Sequence, residues 1–137
     1  MPTPDTGNGA TIAFGTQGGS YNVVDMTGHE EEVASLDDTH LGTTGFMTSI
    51  PDDLDSPGEF EISVHFDSSD GLPNTKVVET ITITYALKSG ETTAGNIAGT
   101  GYITKRKFPD IKNGEIMVAK LTIKWDGKTG PALTQAA

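Results

Sequence analysis

Residues 59–67 alternate strictly between apolar and polar side chains, and this alternation constrains the fold more than any other feature of the chain. Phe60, Ile62, Val64 and Phe66 occupy every second position. Because successive side chains of a β-strand point to opposite faces, the pattern predicts a strand with one buried and one solvated face. The solvated face is acidic, since it includes three carboxylates: Glu59, Glu61 and Asp67.

Further segments also have the patterns of strands. Residues 79–87 alternate between a threonine-rich side and a larger apolar side, and β-branched threonine suits a pleated strand. Residues 115–125 place Trp125 and four other apolar side chains on one side. No segment has the 3.6-residue apolar period of an amphipathic helix. The chain is therefore predicted to be all-β, with about seven strands in a sandwich or barrel and at most one short helix.

A chain of 137 residues is predicted to form one domain. We expect an extended N-terminal arm over residues 1–9, a single β domain over residues 10–128 and a flexible C-terminal tail over residues 129–137. The sequence has no cysteine, so neither disulfides nor thiolate chemistry is available. It has neither the ~20 apolar residues of a membrane span nor the features of a signal peptide, so we expect a soluble protein made in the cytoplasm.

Charge is distributed unevenly along the chain. Residues 1–75 contain fourteen acidic residues and no basic ones, whereas residues 76–137 contain nine basic and five acidic residues. The first half cannot neutralise phosphates, so it would not bind DNA. Three interpretations remain open: a solvated acidic surface, contacts between acidic and basic faces of neighbouring copies, or an acidic face turned toward DNA. Lys105, Arg106 and Lys107 alternate along a predicted strand and point to both faces, so we expect intersubunit salt bridges rather than a basic patch.

A long polar segment from residue 39 to residue 57 separates two predicted strands. Loops of this length are uncommon in a compact domain and are usually functional or disordered. This segment is not composed like a flexible linker, because it contains five large apolar residues: Leu41, Phe46, Met47, Ile50 and Leu54. A small domain cannot easily cover these groups by itself. We therefore predict a loop that becomes ordered by packing on another subunit.

The sequence lacks the motifs of catalytic and metal sites. His29, His40 and His65 do not have the spacing of zinc ligands. The run D-S-S-D-G at residues 67–71 lacks the spaced ligands and final Glu of a calcium loop, and a turn stabilised by Asp side chains explains it better. There is neither a G-x-S-x-G nucleophile elbow nor a P-loop lysine. We predict no enzyme activity, no metal and no cofactor.

Two stretches of the chain carry a resemblance to a known family. The first is S-L-D-D-T-H followed by I-P-D-D-L-D-S-P-G-E-F-E-I-S-V-H-F-D, and the second is the closing G-E-I-M-V-A-K-L-T-I-K-W-D-G-K. Together they resemble the major tail tube protein of long-tailed bacteriophages, over roughly residues 10–128. The order of the elements carries the resemblance more than any one element: Asp-x-Thr after a strand, then Pro-x-Asp-Leu, Gly-Glu and a Phe-Asp strand end.

The resemblance implies a structural virion protein. Subunits of this family form hexameric rings, and the rings stack into a hollow tail tube through which DNA passes without specific binding. The architecture is similar to that of the ring-forming tube protein of type VI secretion systems. The implied partners are further copies of the chain, a tape measure protein and tail-tip or terminator proteins, with no membrane insertion. The implied location is the virion tail, assembled in the host cytoplasm.

Under this interpretation three groups of residues have roles. The acidic strand face would line the channel or its rim and repel phosphates: Glu59, Glu61 and Asp67. The long loop would stack one ring on the next: Leu41, Phe46, Met47, Ile50, Asp52, Asp53 and Asp55. Basic residues would form contacts between subunits: Lys105, Lys107 and Lys112.

Two other classes of protein remain possible from the sequence. One is a monomeric β-sandwich binding module, such as an adhesin or a carbohydrate-binding domain. Such modules usually expose aromatic residues, whereas Trp125 lies on an apolar strand row typical of a core. The other is a phage capsid decoration protein. The size of the particle in solution would distinguish a single domain, a trimer, a ring and a tube.

Overall fold

The computed structural model describes residues 9–40, 42, 44–69 and 71–137. Over these residues the chain is all-β and contains no helix, which confirms the predicted fold class. The strands are β1 Thr11–Phe14, β2 Ser20–Thr27, β3 Glu32–Asp37, β4 Ser49–Ser56, β5 Glu59–His65, β6 Glu79–Thr84, β7 Asn96–Lys107, β8 Val118–Trp125 and β9 Ala132–Thr134.

Six of these strands close into an antiparallel barrel. Their order around the barrel is β1, β2, β5, β8, β7 and β6, and a pairing between β6 and β1 completes the circle. β9 adds to the first residues of β7, where β8 does not reach. β3 and β4 form a separate two-stranded sheet. A closed barrel accounts for strands with one apolar and one polar face, because each strand turns one face to the interior.

The interior of the barrel holds the hydrophobic core. The alternation in β5 predicts its buried face, since Phe60, Ile62 and Val64 are fully enclosed. Phe66, just past the end of β5, packs against the same core and is partly exposed. All five remaining barrel strands contribute the other buried apolar residues: Ile12, Phe14, Tyr21, Ile81, Ile83, Ile103, Ala119, Leu121, Ile123 and Trp125. β6 ends at Thr84 and not at residue 87, so Leu87 is exposed.

The antiparallel order gives the barrel two distinct ends. One end, called the loop end here, carries the connections 15–19, 66–78 and 108–117. The other, called the hairpin end, carries the segment between β2 and β5 and the connections 85–95 and 126–131. Strands that run between the two ends therefore fix which connecting segments lie together and which lie apart.

The segment between β2 and β5 corrects the prediction of a loop over residues 39–57. Ser49–Ser56 is a strand, β4, and it pairs with β3 through Leu36 opposite Ile50 and Asp37 opposite Ser49. β4 is almost entirely exposed, so it buries no continuous face and shows no apolar alternation in the sequence. Residues 32–56 are called the hairpin below.

The two termini differ in what the structure describes. Residues 1–8, most of the predicted extended N-terminal arm, lie outside the described residues. At the other end, where we expect a flexible tail, Ala132–Thr134 pair with β7. The backbone N–H groups of Thr92 and Thr93 donate to the Ala137 carbonyl at 2.7 and 2.9 Å, and the Ala137 N–H donates to the Thr93 carbonyl at 3.0 Å. These hydrogen bonds link the last residues to the β6–β7 connection, and sequence patterns do not reveal such long-range pairing.

Candidate assembly surfaces

The hairpin exposes most of its large apolar side chains. Phe46 is 92% exposed, Met47 77% and Leu54 80%, and Ile50 is about half exposed. Leu41, also predicted to take part in this surface, lies outside the described residues. An isolated two-stranded hairpin is at best marginally stable in water, because it has no layer to pack against. The described hairpin therefore combines apolar surface with little support from its own chain.

The hairpin is also strongly acidic. Residues 32–56 of the sequence include six carboxylates and neither lysine nor arginine. Of the three predicted loop carboxylates, Asp53 and Asp55 are exposed, and Asp52 is partly buried and accepts a hydrogen bond from the Asp53 N–H at 2.7 Å. Hydrogen bonds from Thr39, side chain and backbone, lower the pKa of Asp37 and favour its charged form.

A compact aromatic cluster joins the hairpin to the barrel. The Trp125 indole Nε1–H donates to His29 Nε2 at 3.1 Å, so the histidine accepts this bond in its neutral form. The His29 ring also lies 4.8 Å from the Phe60 ring, centroid to centroid. Burial lowers the pKa of His29, and the nearby Glu31 carboxylate opposes this shift.

The returning strand of the hairpin joins the barrel through a glycine that no other residue could replace without strain. Gly58 has a φ of +73°, and a Cβ at this position would lie 2.8 Å from the Glu30 carbonyl oxygen. The Gly58 carbonyl accepts the Trp125 backbone N–H at 3.3 Å. Both strands of the hairpin are thus fixed at their base beside Trp125, whereas the remainder of the hairpin is exposed.

The outer face of β5 places Glu59 and Glu61 in water, as the alternation predicts. Their surroundings are less acidic than the strand alone suggests, because β8 lies beside β5 and carries Lys120 and Lys124 on the same face. Glu59 is directly opposite Lys124, and the Glu61 carboxylate is 3.9 Å from the Lys120 ammonium. The outer face therefore has an acidic column next to a basic column. Sequence reasoning did not detect this because β5 and β8 are distant along the chain.

The third residue predicted for the acidic face, Asp67, is not grouped with the other two. Glu59 opens β5 at the hairpin end, and Asp67 follows β5 at the loop end. Asp67 Oδ1 accepts the Ser69 N–H at 2.9 Å, and the Asp67 carbonyl accepts the Gly71 N–H at 2.9 Å. These bonds make the side chain part of a turn, although Asp70 of the same turn lies outside the described residues.

The basic run points to both faces, as the alternation predicts, since Lys105 and Lys107 share one face and Arg106 is opposite Leu121. The two lysines lie on the same face as the lysines of β8, however, so they form part of a basic patch that was not expected. A register shift between Ile103 and Lys105 turns the next residues, so that Lys105 is opposite Thr122 and Lys107 is opposite Lys120. Residues opposite each other in a sheet share a face, so the lysines of β7 extend the basic column of β8. An irregularity of this kind is invisible in the sequence.

Arg106 points away from this column. Its guanidinium donates to the Pro73 carbonyl at 3.1 Å and lies 5.0 Å from the centre of the Phe108 ring. It thus ties the end of β7 to the 66–78 connection at the loop end and covers one face of an exposed aromatic ring.

The loop end carries a second exposed apolar group that sequence reasoning missed. In the 108–117 connection, Phe108 is 62% exposed, Ile111 89% and Ile116 76%, and the predicted contact residue Lys112 is exposed between them. The sequence does indicate this exposed apolar surface, because the 108–117 connection has the same irregular mixture of apolar and charged residues as the 39–57 segment. The connection has an ordinary length, so its length does not mark it as functional.

Among the residues that the structure describes, no group of three or more His, Asp or Glu side chains could hold a metal ion. The same residues include no helix long and apolar enough to cross a membrane. Three surfaces are candidates for assembly: the apolar and acidic hairpin, the two charged columns of the barrel, and the apolar loop end.

No protein-family model matches the sequence, and no curated protein matches it. Solved structures do match. A chain of the anti-feeding prophage baseplate has a TM-score of 0.67 at 8% identity, covering 98% of this chain and 98% of that chain. A chain of the PVC sheath-tube complex, from an extracellular contractile injection system, has a TM-score of 0.63 at 15% identity, covering 98% and 93%. Hcp1 from Flavobacterium johnsoniae has a TM-score of 0.51 at 14% identity, covering 92% and 98%.

At these identities the likeness establishes the fold, over nearly the full length of each chain. The solved structures come from contractile and Hcp-type systems, so they do not single out the tail of a long-tailed bacteriophage, to which the sequence motifs point. The barrel with its additional strand is the fold of Hcp and tail tube proteins.

Proposed function

We propose that the chain is a structural subunit of a phage-tail-like particle, assembling into stacked hexameric rings that form a hollow tube. The observation that carries the proposal is the hairpin, with Phe46, Met47 and Leu54 more than three-quarters exposed on a barrel of the tube-protein fold. Exposed apolar groups gathered on one projection are typical of a surface that a partner covers. A second copy is the partner proposed here.

The ends of the barrel support a contact between different copies. Asp53 and Asp55 belong to the hairpin at one end, whereas Lys107 and Lys112 lie toward the other end. Contacts between two different surfaces of the same chain are heterologous, and they generate rings where they close and filaments where they do not. Exposed ion pairs would contribute only about 0–1 kcal/mol each, so they would orient the contact more than hold it. The apolar side chains would supply most of the attraction, at ~25 cal/mol per Å² buried.

The proposed channel wall is the outer face of β5 with Glu59 and Glu61, together with Asp67 at its rim. Carboxylates repel phosphates, so DNA ejected into a host would slide along such a wall without binding. Lys120 and Lys124 beside them would give the wall both signs of charge. Lysine at Glu59 and Glu61 is expected to leave assembly intact and to slow genome ejection, because phosphates would then be retained.

The wider proposal follows from the resemblance and from the particles that contain the solved neighbours. The tube would act in the tail of a virion, assembled in the host cytoplasm, with a tape measure protein inside and terminator or tip proteins at its ends. The neighbours support this setting by their names: a sheath/tube terminator, a sheath-tube complex and a tube terminating cap.

Negative-stain electron microscopy of the purified chain at high concentration tests this function. Rings or tubes are the expected result. A particle that remains a single domain at every salt concentration would overturn the proposal in favour of a monomeric binding module, and a trimer would favour a capsid decoration protein.

A matched pair of variants then tests the hairpin. Replacing residues 44–53 with a short Gly-Ser linker is expected to leave a folded barrel, seen by circular dichroism, that forms no tubes. Leu87→Ser removes an exposed apolar residue from the 85–95 connection, outside the hairpin, and should assemble normally. Tubes of normal length from the linker variant would remove the hairpin from the assembly mechanism.

A further inference from the structure

We propose that the loop end of one copy is the docking site for the hairpin of a second copy, through an apolar contact on Phe108, Ile111 and Ile116. The inference rests on the proposed function and adds the receiving surface, which neither the sequence motifs nor the solved neighbours identify. The proposed occupant is a second copy of this chain.

Within one chain, the apolar side chains of the hairpin and of the loop end remain exposed to water. Phe46 of the hairpin is 92% exposed and Ile111 of the loop end is 89% exposed, so neither is covered by the other or by the barrel. They also leave opposite ends of a barrel whose strands reach twelve residues. At ~3.3 Å per residue, such a strand separates them by tens of ångströms. Contact between them requires two molecules.

The charges at the two surfaces are complementary. The hairpin is acidic throughout, whereas Lys107 and Lys120 lie directly opposite each other at the loop end of the basic column. Like charges in opposite positions of a sheet destabilise it, so an anionic partner between them would relieve the repulsion. The 108–117 connection contributes Lys112 and two acidic residues, Asp110 and Glu115, so its own charge is nearly balanced. The basic column therefore supplies the attraction for hairpin carboxylates such as Asp53.

The receiving surface is partly fixed before contact. Arg106 lies against the Phe108 ring and donates to the Pro73 carbonyl, which ties the start of the connection to the neighbouring 66–78 segment. Pre-positioned groups lose less conformational freedom on binding than mobile ones. The hairpin is likewise fixed at its base by the His29–Trp125 hydrogen bond. Each surface is fixed where it joins the barrel and exposes apolar side chains farther out. This arrangement suits docking between opposite ends of two copies.

The absence of cysteine makes a direct test possible. Two single variants, Phe46→Cys and Ile111→Cys, are mixed under assembly conditions and oxidised. A disulfide forms only where the two Cα atoms approach within about 7 Å. The expected result is a covalent dimer in the mixture that neither variant gives alone. Leu133→Cys provides the control in place of Ile111→Cys, since Leu133 is exposed on β9 away from the loop end and should not cross-link.

A second measurement tests the same contact without introducing cysteine. Ile111→Ser with Ile116→Ser should raise about tenfold the protein concentration at which half of the chain pellets, and a tenfold weaker association is equivalent to 1.4 kcal/mol. Lys107→Glu with Lys112→Glu should also weaken assembly, and Asp53→Lys with Asp55→Lys should restore it in the mixture. Rescue by reversed charges would not follow from a merely structural effect on folding.

The outcomes separate the inference from the function on which it rests. Tubes that assemble while Phe46→Cys cross-links to the Leu133→Cys control, and not to Ile111→Cys, would overturn the inference and leave the tube function in place. Absence of any assembly by the unmodified chain would overturn both.

Discussion

The barrel and the hairpin are made from the same chain, yet they satisfy different requirements. In the barrel, alternate side chains of β5, β6 and β8 are buried, Ser63 of β5 is buried as well, and the large core residues of these strands are at most a few per cent exposed. In the hairpin, all of β3 and nearly all of β4 are exposed. The core that stabilises the folded chain is therefore in the barrel, whereas the hairpin leaves most of its side chains in water.

This difference teaches that folding and association can be altered separately. Substitutions in the barrel should change the free energy of unfolding, and substitutions at the tip of the hairpin should change only assembly. The predictions below test that separation in chains kept dissociated at low concentration.

The largest effect is expected from Trp125→Ala. Trp125 is 1% exposed and contacts the Phe60 ring at 5.4 Å between centroids. Removing a buried aromatic side chain costs about 3–5 kcal/mol, because transfer energy is lost and a cavity remains. Urea denaturation followed by circular dichroism should show this loss in the free energy of unfolding.

The matched control for that variant is Phe46→Ala, at a ring that is 92% exposed. Its free energy of unfolding should stay within about 0.5 kcal/mol of the parent. A large destabilisation by Phe46→Ala in the dissociated chain would mean that the hairpin packs on its own barrel. Folding and association would then not be separable.

A smaller effect is expected from Gln17→Ala at the loop end. Gln17 Nε2 donates to the Glu79 carboxylate at 2.7 Å, and Glu79 is 4% exposed. Gln17 Oε1 also accepts the Asn74 N–H at 2.6 Å. Leaving a buried polar group without its partner costs about 1–3 kcal/mol, which urea denaturation can resolve. The exposed Gln135→Ala is the control, and equal effects of both variants would show that the Gln17 hydrogen bonds add nothing.

The junction between hairpin and barrel should make stability depend on pH. Burial lowers the pKa of His29 in the folded chain, so the unfolded chain binds more protons at this residue. Stability from this group is therefore fully present above about pH 6.5 and decreases as the pH falls below that value. Protonation also removes the acceptor for Trp125 Nε1–H, and one hydrogen bond is worth about 0.5–1.5 kcal/mol.

Urea denaturation between about pH 5 and pH 8, followed by Trp125 fluorescence, checks this dependence. His29→Gln keeps a hydrogen-bond acceptor but does not titrate, so the profile should flatten. His65→Gln, at an exposed position on β5, should retain the profile of the parent. A parent profile that is already flat in this range would contradict a role for His29.

The smallest effect is expected at the Glu61–Lys120 ion pair. The two charged atoms are 3.9 Å apart, and the side chains are 51% and 52% exposed. Exposed pairs contribute about 0–1 kcal/mol and are screened by salt. Glu61→Gln should therefore change the free energy of unfolding little at low salt and not at all at high salt. A larger loss would show that parts of the outer barrel face behave like the core.

The sequence alone predicted the elements whose patterns come from burial. β5 and β8 were recognised because each turns alternate side chains, such as Ile62 and Leu121, into one core. The sequence also predicts that the chain itself does not cover Phe46 and Met47, because they stand in a polar segment, and both are exposed. Their contact with a second copy stays a prediction.

Other features depended on neighbours that are distant in sequence. β4 was missed because Ser49–Ser56 pairs with β3 without burying a face, and such a strand has no period. The lysines beside Glu61 were missed because strand order is set by the closure of the barrel. The turn of Lys105 onto the same face as Lys120 depends on a register shift, and no local pattern encodes it.

Closure of the barrel also determines where uncontrolled aggregation would begin. Barrel strands have neighbours on both sides, so in the described chain unpaired strand edges are left mainly on β3, β4 and β9. Such edges are templates for fibril growth, and proteins protect them with proline and charge. β4 carries Pro51 and three aspartates, which suits this protective role. High salt, by screening those carboxylates, should promote amyloid-like aggregates of the unassembled chain, and the hairpin is where they should nucleate.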